Sequence, residues 1–210
     1  ILTIAESEIE PGVIWVGTDD GNVQVTRDAG TTWANVRDRV PGLPAETWIG
    51  NVEASPLEPG TAFMAVDNHR LDDFTPHLFE TNDYGQTWRD LSADLPQDDY
   101  VKVIRQHPEN RDLLFVGMER GIYASWDRGT TWIDIRANLP RVSVRGIQIQ
   151  RQFNDLVIGT HGRGAWILDD IQPFVELSEA MEKDVHLFQI RTATDWERWG
   201  RISNLGQSAF

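Results

Sequence analysis

The sequence predicts an all-β protein, a β-propeller of four-stranded antiparallel blades, on the strength of three observations. An eight-residue phrase, Ser/Thr-x-Asp-x-Gly-x-Thr-Trp, occurs three times, at residues 26–33, 81–88 and 125–132, and we call it the box. The box aspartates are 55 and then 44 residues apart, close to the roughly 40 to 50 residues of one propeller blade. Short β-rich segments bounded by turn residues fill the intervals.

Each box has the chemistry of a tight turn between two strands. Its aspartate can accept hydrogen bonds from backbone N–H groups of the turn, and its glycine supplies a positive φ. Its last threonine begins the next strand, and its tryptophan is expected to bury a ring worth about 2 to 3 kcal/mol beside the turn. We therefore expect structural roles for Asp28, Gly30, Thr32, Trp33, Asp83, Gly85, Thr87, Trp88, Asp127, Gly129, Thr131 and Trp132.

The first two blades are predicted over residues 1–40 and 41–95. Apolar runs and turn residues place four strands in each blade. In blade two, an eleven-residue insertion, residues 67–77, replaces the tight turn 19–22 of blade one. The predicted strands are Ile1–Glu8, Val13–Gly17, Val23–Thr26, Trp33–Val36, Ile49–Ala54, Thr61–Val66, Leu78–Thr81 and Trp88–Leu91.

Blades three and four are predicted over residues 96–140 and 141–174. Asp170 lies 43 residues after Asp127, where the next box aspartate is due, although Ile171, Gln172 and Pro173 replace the box glycine and threonine. The predicted strands are Val101–Gln106, Leu113–Gly117, Ile122–Ser125, Trp132–Ile135, Val144–Gln150, Leu156–Gly159 and Ala165–Leu168.

Residues 175–210 differ in character and are expected to form a C-terminal extension or a ring-closing segment. We predict a short helix over 175–183, a strand over Val185–Ile190 and a polar extension over 192–206. Four blades are at the low end of the roughly 4 to 8 found in propellers. The expectation is therefore a larger ring, completed by a longer chain or by other blades.

The box resembles the Asp-box of sialidases, xyloglucanases, sortilin and many bacterial propeller proteins. The phrase THGRGAWILDD, residues 160–170, is similar to the blade ends of bacterial secreted sortilin-like (BNR-repeat) proteins, and this resemblance covers residues 1–174. It implies an extracellular, periplasmic or cell-envelope location and a ligand bound at the loops or in the central tunnel. Enzymes and non-enzymes share the motif, so the resemblance assigns no activity.

Composition restricts the classes of partner. The chain has 33 acidic and 19 basic residues, a net charge of −14, which disfavours nucleic acid and anionic membranes and favours cationic or neutral partners. With no cysteine, disulfides and thiolate metal sites are excluded. No apolar run is long enough to span a membrane.

Strand order predicts which loops share a face. In a blade with strands A to D, the box lies in the C–D turn, so the B–C and D–A loops meet on the opposite face, which we call the loop face. Carboxylates, histidines, arginines and an aromatic residue collect there, as a polar binding surface does. The candidate binding residues are Asp19, Asp20, Trp48, His69, Arg70, Asp72, Asp73, Glu119, Arg120, His161 and Arg163.

These residues favour a binding or scaffolding module for a peptide, a glycan or a protein, with no cofactor expected. The alternative is a glycoside hydrolase, sialidase- or xyloglucanase-like, in which Asp72 or Asp73 is one of two carboxyl groups roughly 5 to 10 Å apart. Arg70, Arg120 and Arg163 lie on successive blades, but the sialidase phrase Phe/Tyr-Arg-Ile-Pro is absent. No metal-ligand pattern is found. A third alternative is a structural subunit of a larger assembly.

Overall fold

The computed structural model describes residues 1–44 and 46–192 and contains four antiparallel sheets that follow one another along the chain. The first three sheets have four strands and the fourth has three, each paired in chain order. The predicted all-β propeller is confirmed. The strands are β1 Thr3–Glu6, β2 Ile14–Gly17, β3 Val23–Thr26, β4 Ala34–Asn35, β5 Ile49–Ala54, β6 Ala62–Val66, β7 His77–Thr81, β8 Arg89–Asp90, β9 Val101–Gln106, β10 Leu114–Met118, β11 Gly121–Ser125, β12 Ile133–Asp134, β13 Val144–Gln150, β14 Asp155–Thr160 and β15 Ala165–Leu168.

The hydrophobic core lies between the blades. One buried cluster joins blades one and two around Trp15 and Met64, a second joins blades two and three around Phe63 and Ile104, and a third joins blades three and four. The first strands of successive blades, β1, β5, β9 and β13, contact one another. These inner strands border a central channel, because residues of all four line one cavity.

The three boxes share one hydrogen-bond network. Asp83 accepts from the backbone N–H of Thr87 at 2.9 Å, from the Thr87 hydroxyl at 2.6 Å and from the Thr81 hydroxyl at 2.9 Å. The same bonds form at the other two boxes. At Asp28, the hydrogen bonds from Thr32 are the main reason that its pKa falls from 3.8 to about 2. The carboxylate therefore fixes the shape of each turn.

The box turn also docks on the preceding blade. A Cβ at Gly85 would lie 2.9 Å from Val36, and a Cβ at Gly129 would lie 3.0 Å from Leu91, so glycine permits this close approach. Trp132 donates its ring N–H to the carbonyl of Leu91 at 2.9 Å. The turn between the C and D strands thus forms the contact between blades on one face of the propeller. We call this face, which lies opposite the loop face, the box face.

The prediction of a buried ring is right for Trp88 and Trp132 and wrong for Trp33, which is 41% exposed. The ring of Trp88 packs edge-on against Trp15 of the preceding blade. Among the described residues no blade precedes blade one, so Trp33 contacts its own turn, where it donates to Gly30 at 3.2 Å. The burial predicted from the motif therefore depends on a neighbouring blade.

The sheets do not close into a ring. The outer side of blade one exposes Ile4, and the outer side of blade four exposes Ile167, with accessible fractions of 66% and 62%. Across the channel, Arg151 of blade four pairs with Glu8 of blade one. The described chain is therefore a partial propeller with two uncovered blade faces.

After β15 the structure departs from the predicted elements. Asp170 has the register of a box aspartate, since Leu168 pairs with Leu156 as Thr26 pairs with Ile14. The chain then forms two short helices, α1 Gln172–Val175 and α2 Leu177–Met181, instead of one helix over 175–183. The strand predicted over Val185–Ile190 is wrong, because this segment pairs with no other strand. The polar extension predicted over 192–206 lies outside the described residues, apart from Thr192.

We expect Gly85→Ala to destabilise the protein more than Gly30→Ala. Both glycines have a positive φ, of 79° and 88°, so both variants acquire backbone strain of about 1 to 2 kcal/mol. At Gly85 the added methyl group also overlaps Val36, whereas at Gly30 the nearest atom is 3.7 Å away, on Trp33. Urea unfolding should show an additional loss of about 1 to 3 kcal/mol for Gly85→Ala. Equal losses would contradict this account of blade docking.

Candidate functional site

The insertion of blade two, residues 67–76, is held on the loop face by several side-chain contacts. It follows β6 and contains a short 3-10 turn, His69–Leu71. The side chain of Asn68, which is 2% exposed, accepts from the Thr47 hydroxyl at 2.9 Å and from the Trp48 backbone N–H at 3.1 Å. These bonds tie the insertion to the loop that enters blade two. A loop made only of ordinary turn residues can keep its shape through its own hydrogen bonds, without bonds to a second loop.

A second anchor is a charged cluster where blades two and three meet. Lys102 Nζ lies 2.6 Å from Asp67, which also pairs with His69. Burial raises the pKa of Asp67, but the hydrogen bonds from Lys102 and His69 outweigh it, so the pKa is lowered and the carboxylate stays ionised. The His69 ring stacks on Tyr100, with centroids 4.9 Å apart.

Lys102 reaches this cluster because β9 carries a β-bulge there. Val101 pairs with Met118 and Val103 with Gly117, so Lys102 is the additional residue. Bulges of this kind redirect a side chain at the rim of a sheet. Glu119 completes the cluster: burial and this carboxylate raise the pKa of Tyr100, and one Glu119 oxygen is buried 3.9 Å from Lys102 without a hydrogen bond.

The outer part of the insertion combines fixed polar groups with exposed apolar ones. Asp73 accepts from His77 at 2.7 Å and from Thr75. Burial opposes these bonds but is outweighed, so the pKa of Asp73 falls to about 2. Leu71 and Phe74 are 43% and 47% exposed.

The neighbouring positions add an aromatic residue and a free carboxylate to this surface. The Arg70 guanidinium lies 4.4 Å from the centre of the Trp48 ring, and Asp72 is exposed at a φ of 59°. Among the predicted site residues, the structure therefore brings His69, Arg70, Asp72 and Asp73 together on the insertion, with Trp48 beside them on the loop that enters blade two.

Arg120 belongs to a separate pocket on blade three. It pairs with Asp98 at 2.8 Å, and its backbone N–H donates to Asp99 at 3.1 Å. Burial raises the pKa of Asp99. The pocket, of about 300 Å³, is also lined by Tyr123, Arg136 and Arg141.

The remaining candidates lie apart from the insertion. Asp19 and Asp20 are exposed in the tight turn of blade one, where bonds from Thr18 and Asn22 lower the pKa of Asp20. On blade four, His161 and Arg163 are exposed and bond only through backbone groups among the described residues. These four residues have the environment of turn and rim residues.

Carboxylates also line the central channel, which the resemblance offered as a ligand location but for which sequence analysis named no residue. Glu53, 7% exposed, pairs with Arg105 of the next blade. Burial outweighs that guanidinium and raises the pKa of Glu53 to about 7. The channel cavity, of about 260 Å³, also contains Glu8 and Arg151 at the box face.

Sequence analysis missed Asn68 and Lys102 as site residues. Lys102 occupies a polar position in a predicted strand, and nothing in the sequence shows that a bulge turns it toward Asp67. The described residues contain no group of three or more His, Asp or Glu side chains placed to hold a metal. No helix in that part of the chain is long and apolar enough to cross a bilayer.

Comparison with known proteins gives fold-level neighbours. No family model and no curated protein matches the chain. Among solved structures, it is similar to the GH74 xyloglucanase from Xanthomonas campestris, with a TM-score of 0.60, 14% identity and coverage of 80% of this chain and 29% of that one. The chain has a β-propeller fold. It is also similar to a GH74 enzyme from Niastella koreensis, with a TM-score of 0.57, 13% identity and coverage of 79% of this chain and 22% of that one.

The third neighbour is YCF48 bound to the D1 peptide, with a TM-score of 0.56 and 18% identity over 82% of this chain and 52% of that one. The chain thus spans between 22% and 52% of these proteins. At such identities the likeness concerns the fold alone.

Removing the Asn68 anchor should loosen the insertion. In Asn68→Ala the Thr47 hydroxyl and the Trp48 N–H lose their acceptor while buried, which costs about 1 to 3 kcal/mol. Hydrogen exchange of residues 67–76 should accelerate more than that of the blade strands. The matched control is Asn22→Ala, which removes a partly buried turn amide that, among the described residues, accepts only from Asn35 of the same blade, at 2.7 Å. Unchanged exchange in Asn68→Ala would contradict the anchoring role.

Glu53 should make stability fall as pH rises. Its pKa is raised from 4.5 to about 7 in the folded state, so the folded protein holds a proton that the unfolded chain has released. The contribution of Glu53 to the free energy of unfolding is therefore fully present below pH 4.5 and is lost as pH rises through 7, by about 3 kcal/mol. Carboxylates with lowered pKa values, such as Asp28 and Asp73, act in the opposite direction at lower pH. Glu53→Gln should remove the decline, whereas the exposed-residue control Glu182→Gln should retain it.

Proposed function

We propose that this propeller is a binding module that holds a peptide segment of a partner protein against the insertion of blade two. One observation carries the proposal: the insertion is locked to the blades from beneath while it presents Leu71 and Phe74 to solvent. Exposed apolar side chains on a rigid loop are typical of recognition surfaces.

Rigidity supports binding because an ordered loop loses little conformational entropy when a ligand docks. The Asn68 bonds and the Asp67–Lys102 pair hold the first half of the insertion, and the Asp73–His77 bond holds the second half. The three anchors together hold the base of the insertion to blades two and three. We infer that the insertion is kept in its binding conformation before the partner arrives.

The chemistry of the surface indicates the class of partner. Leu71 and Phe74 favour an apolar anchor side chain, and the exposed carboxylate of Asp72 lies between them in sequence. The net charge of −14 attracts cationic partners and speeds their encounter. The preferred ligand is therefore a peptide with alternating apolar and basic side chains.

Fold-level neighbours support both a binding and a hydrolytic propeller, since one binds a peptide and another is a xyloglucanase. The hydrolase alternative finds less support in the insertion. Thr75 and His77 hold Asp73 as a carboxylate with a pKa of about 2, so it is poorly suited to protonate a leaving group near neutral pH. Unchanged xyloglucan turnover, where any exists, in the Asp72→Asn, Asp73→Asn double variant would remove these carboxylates from such a role.

The proposal places the module in an extracellular, periplasmic or envelope setting. Its support is the resemblance of the three boxes and of residues 160–170 to secreted sortilin-like proteins. Fractionation of cells that produce the native protein, followed by immunodetection, tests this location. Detection in the cytosolic fraction alone would contradict it.

The Leu71→Ser, Phe74→Ser double variant should lose peptide binding while the blades stay folded, because the side chains are 43% and 47% exposed and, among the described aromatic rings, Phe74 makes one edge contact, with Tyr100. The probe is a fluorescent peptide of alternating Lys and Leu, with a Glu/Leu peptide as the charge-reversed comparison. Fluorescence anisotropy should show tighter binding of the Lys peptide and a loss of at least about tenfold in the variant, a difference of about 1.4 kcal/mol.

The matched control is Ile133→Ser, which removes an exposed apolar side chain from the D strand of blade three. This variant should bind the Lys peptide as the unmodified protein does. Equal binding by all three proteins would contradict the proposed site.

A further inference from the structure

Blade four lacks the fourth strand that every other blade has among the described residues. In blades one to three the C strand pairs with a two-residue D strand, for example Val25 with Ala34. In blade four β15 pairs with β14 alone. Among the described residues the outer edge of β15 is therefore unpaired; Leu168 is 39% exposed, and Ile167, on the uncovered blade face, is 62% exposed. An open apolar edge of this kind is a template for another strand.

The chain also contains a strand-forming segment without a partner. Residues 185–190, Val-His-Leu-Phe-Gln-Ile, are rich in residues that favour strands. Val185, Leu187 and Ile190 are 80%, 90% and 89% exposed. The segment and β15 carry no Asp, Glu, Lys or Arg, so pairing them would bury none of these charged side chains.

The end of this segment has the residue order of a D strand. The three observed D strands stand in the contexts Trp-Ala-Asn-Val, Trp-Arg-Asp-Leu and Trp-Ile-Asp-Ile, at residues 33–36, 88–91 and 132–135. Residues 187–190, Leu-Phe-Gln-Ile, repeat this order of large apolar, variable, polar and aliphatic side chains. In the same register, Phe188 would lie opposite Ile167.

In its own chain the segment is held at the box face and makes no backbone bond to β15. Glu176 accepts from His186 at 2.8 Å and from the Gln189 N–H at 3.2 Å, and Arg191 pairs with Asp155 at 3.2 Å. Alternate N–H groups of a paired strand point to opposite edges. The grip of Glu176 on Gln189 therefore leaves the N–H groups of Phe188 and Ile190 available on the other edge.

We propose that residues 187–190 of a second copy of this chain supply the missing D strand of blade four. The exchange is reciprocal, so that each copy gives a strand and receives one, as in a two-fold dimer. Pairing covers the exposed side chains of β15 and of the segment together. It uses the N–H groups of Phe188 and Ile190 and leaves the bond from the Gln189 N–H to Glu176 in place, whereas in its own chain the segment is held by Glu176 without a backbone bond to β15.

Cysteine cross-linking tests the exchange, because the chain has no cysteine. Ile167→Cys and Phe188→Cys are prepared as separate variants of the full chain, mixed and oxidised. Side chains directly opposite on antiparallel strands are close enough for a disulfide. We expect a mixed disulfide dimer that contains one copy of each variant.

The matched control replaces Phe188→Cys by Met181→Cys, a position that is 79% exposed but outside the strand register. Mixed dimers that form no faster with Phe188→Cys than with Met181→Cys would overturn the proposal. An intramolecular disulfide as the main product of the Ile167→Cys, Phe188→Cys double variant would also overturn it, since the strand would then come from the same copy.

A second measurement needs no cysteine. Ile190→Pro removes an N–H from the pairing edge and should raise the dimer dissociation constant at least about tenfold in light scattering. Leu187→Pro removes an N–H from the edge that Glu176 holds and should leave dimerisation intact. A protein that is monomeric before either change, at the concentrations used for cross-linking, contradicts the exchange.

Discussion

The close contact between each box turn and the blade before it is the interaction on which the rest of the structure depends. The box aspartate first makes the turn rigid, and the glycine then lets its backbone approach Val36 or Leu91 without a side chain between them. A propeller has little core within a single sheet, so this docking and the apolar clusters between sheets hold the blades together. Trp33, which no preceding blade covers among the described residues, is exposed, so burial of the box tryptophan depends on such a blade.

Polar contacts then make each junction specific. Tyr84, which follows the box aspartate of blade two, donates to Glu10 of blade one at 2.5 Å. At the equivalent position of blade three, Arg128 pairs with Glu58 and the buried Glu80 of blade two. Glu80 also pairs with Arg89 of its own blade, so the carboxylate bridges two guanidinium groups, one from each blade. Ion pairs of this kind add little net stability, but a neighbouring blade without Arg128 would leave one oxygen of the buried Glu80 without its cation. Apolar packing therefore holds the blades together, and these polar contacts favour the observed order of blades over other arrangements.

The repeat explains how much could be predicted from the sequence. Strands such as Ile49–Ala54 and Val101–Gln106 follow from apolar pattern and spacing, and the Asp83 network follows from turn chemistry. Features that depend on contacts between residues far apart in the sequence could not be predicted from it. A bulge directs Lys102 toward Asp67, and loop packing buries Asn68. Residues 185–190 have the composition of a strand but form none, and the Gln189 N–H bonds to Glu176 instead of to a sheet edge.

The two faces of the blades consequently differ in how freely they can change. On the box face, a substitution in a turn disturbs the adjoining blade, so the Asp-x-Gly-x-Thr-Trp order recurs in all three boxes. On the loop face, the B–C connection of blade three is as short as Glu119 and Arg120, whereas that of blade two extends over residues 67–76. Loop length can vary there because the core clusters already supply blade stability. The insertion is therefore where this propeller can acquire a ligand-binding surface. Its polar anchors meet the physical requirement for one, because a longer loop recognises a partner well only when the blades beneath it hold it in one conformation.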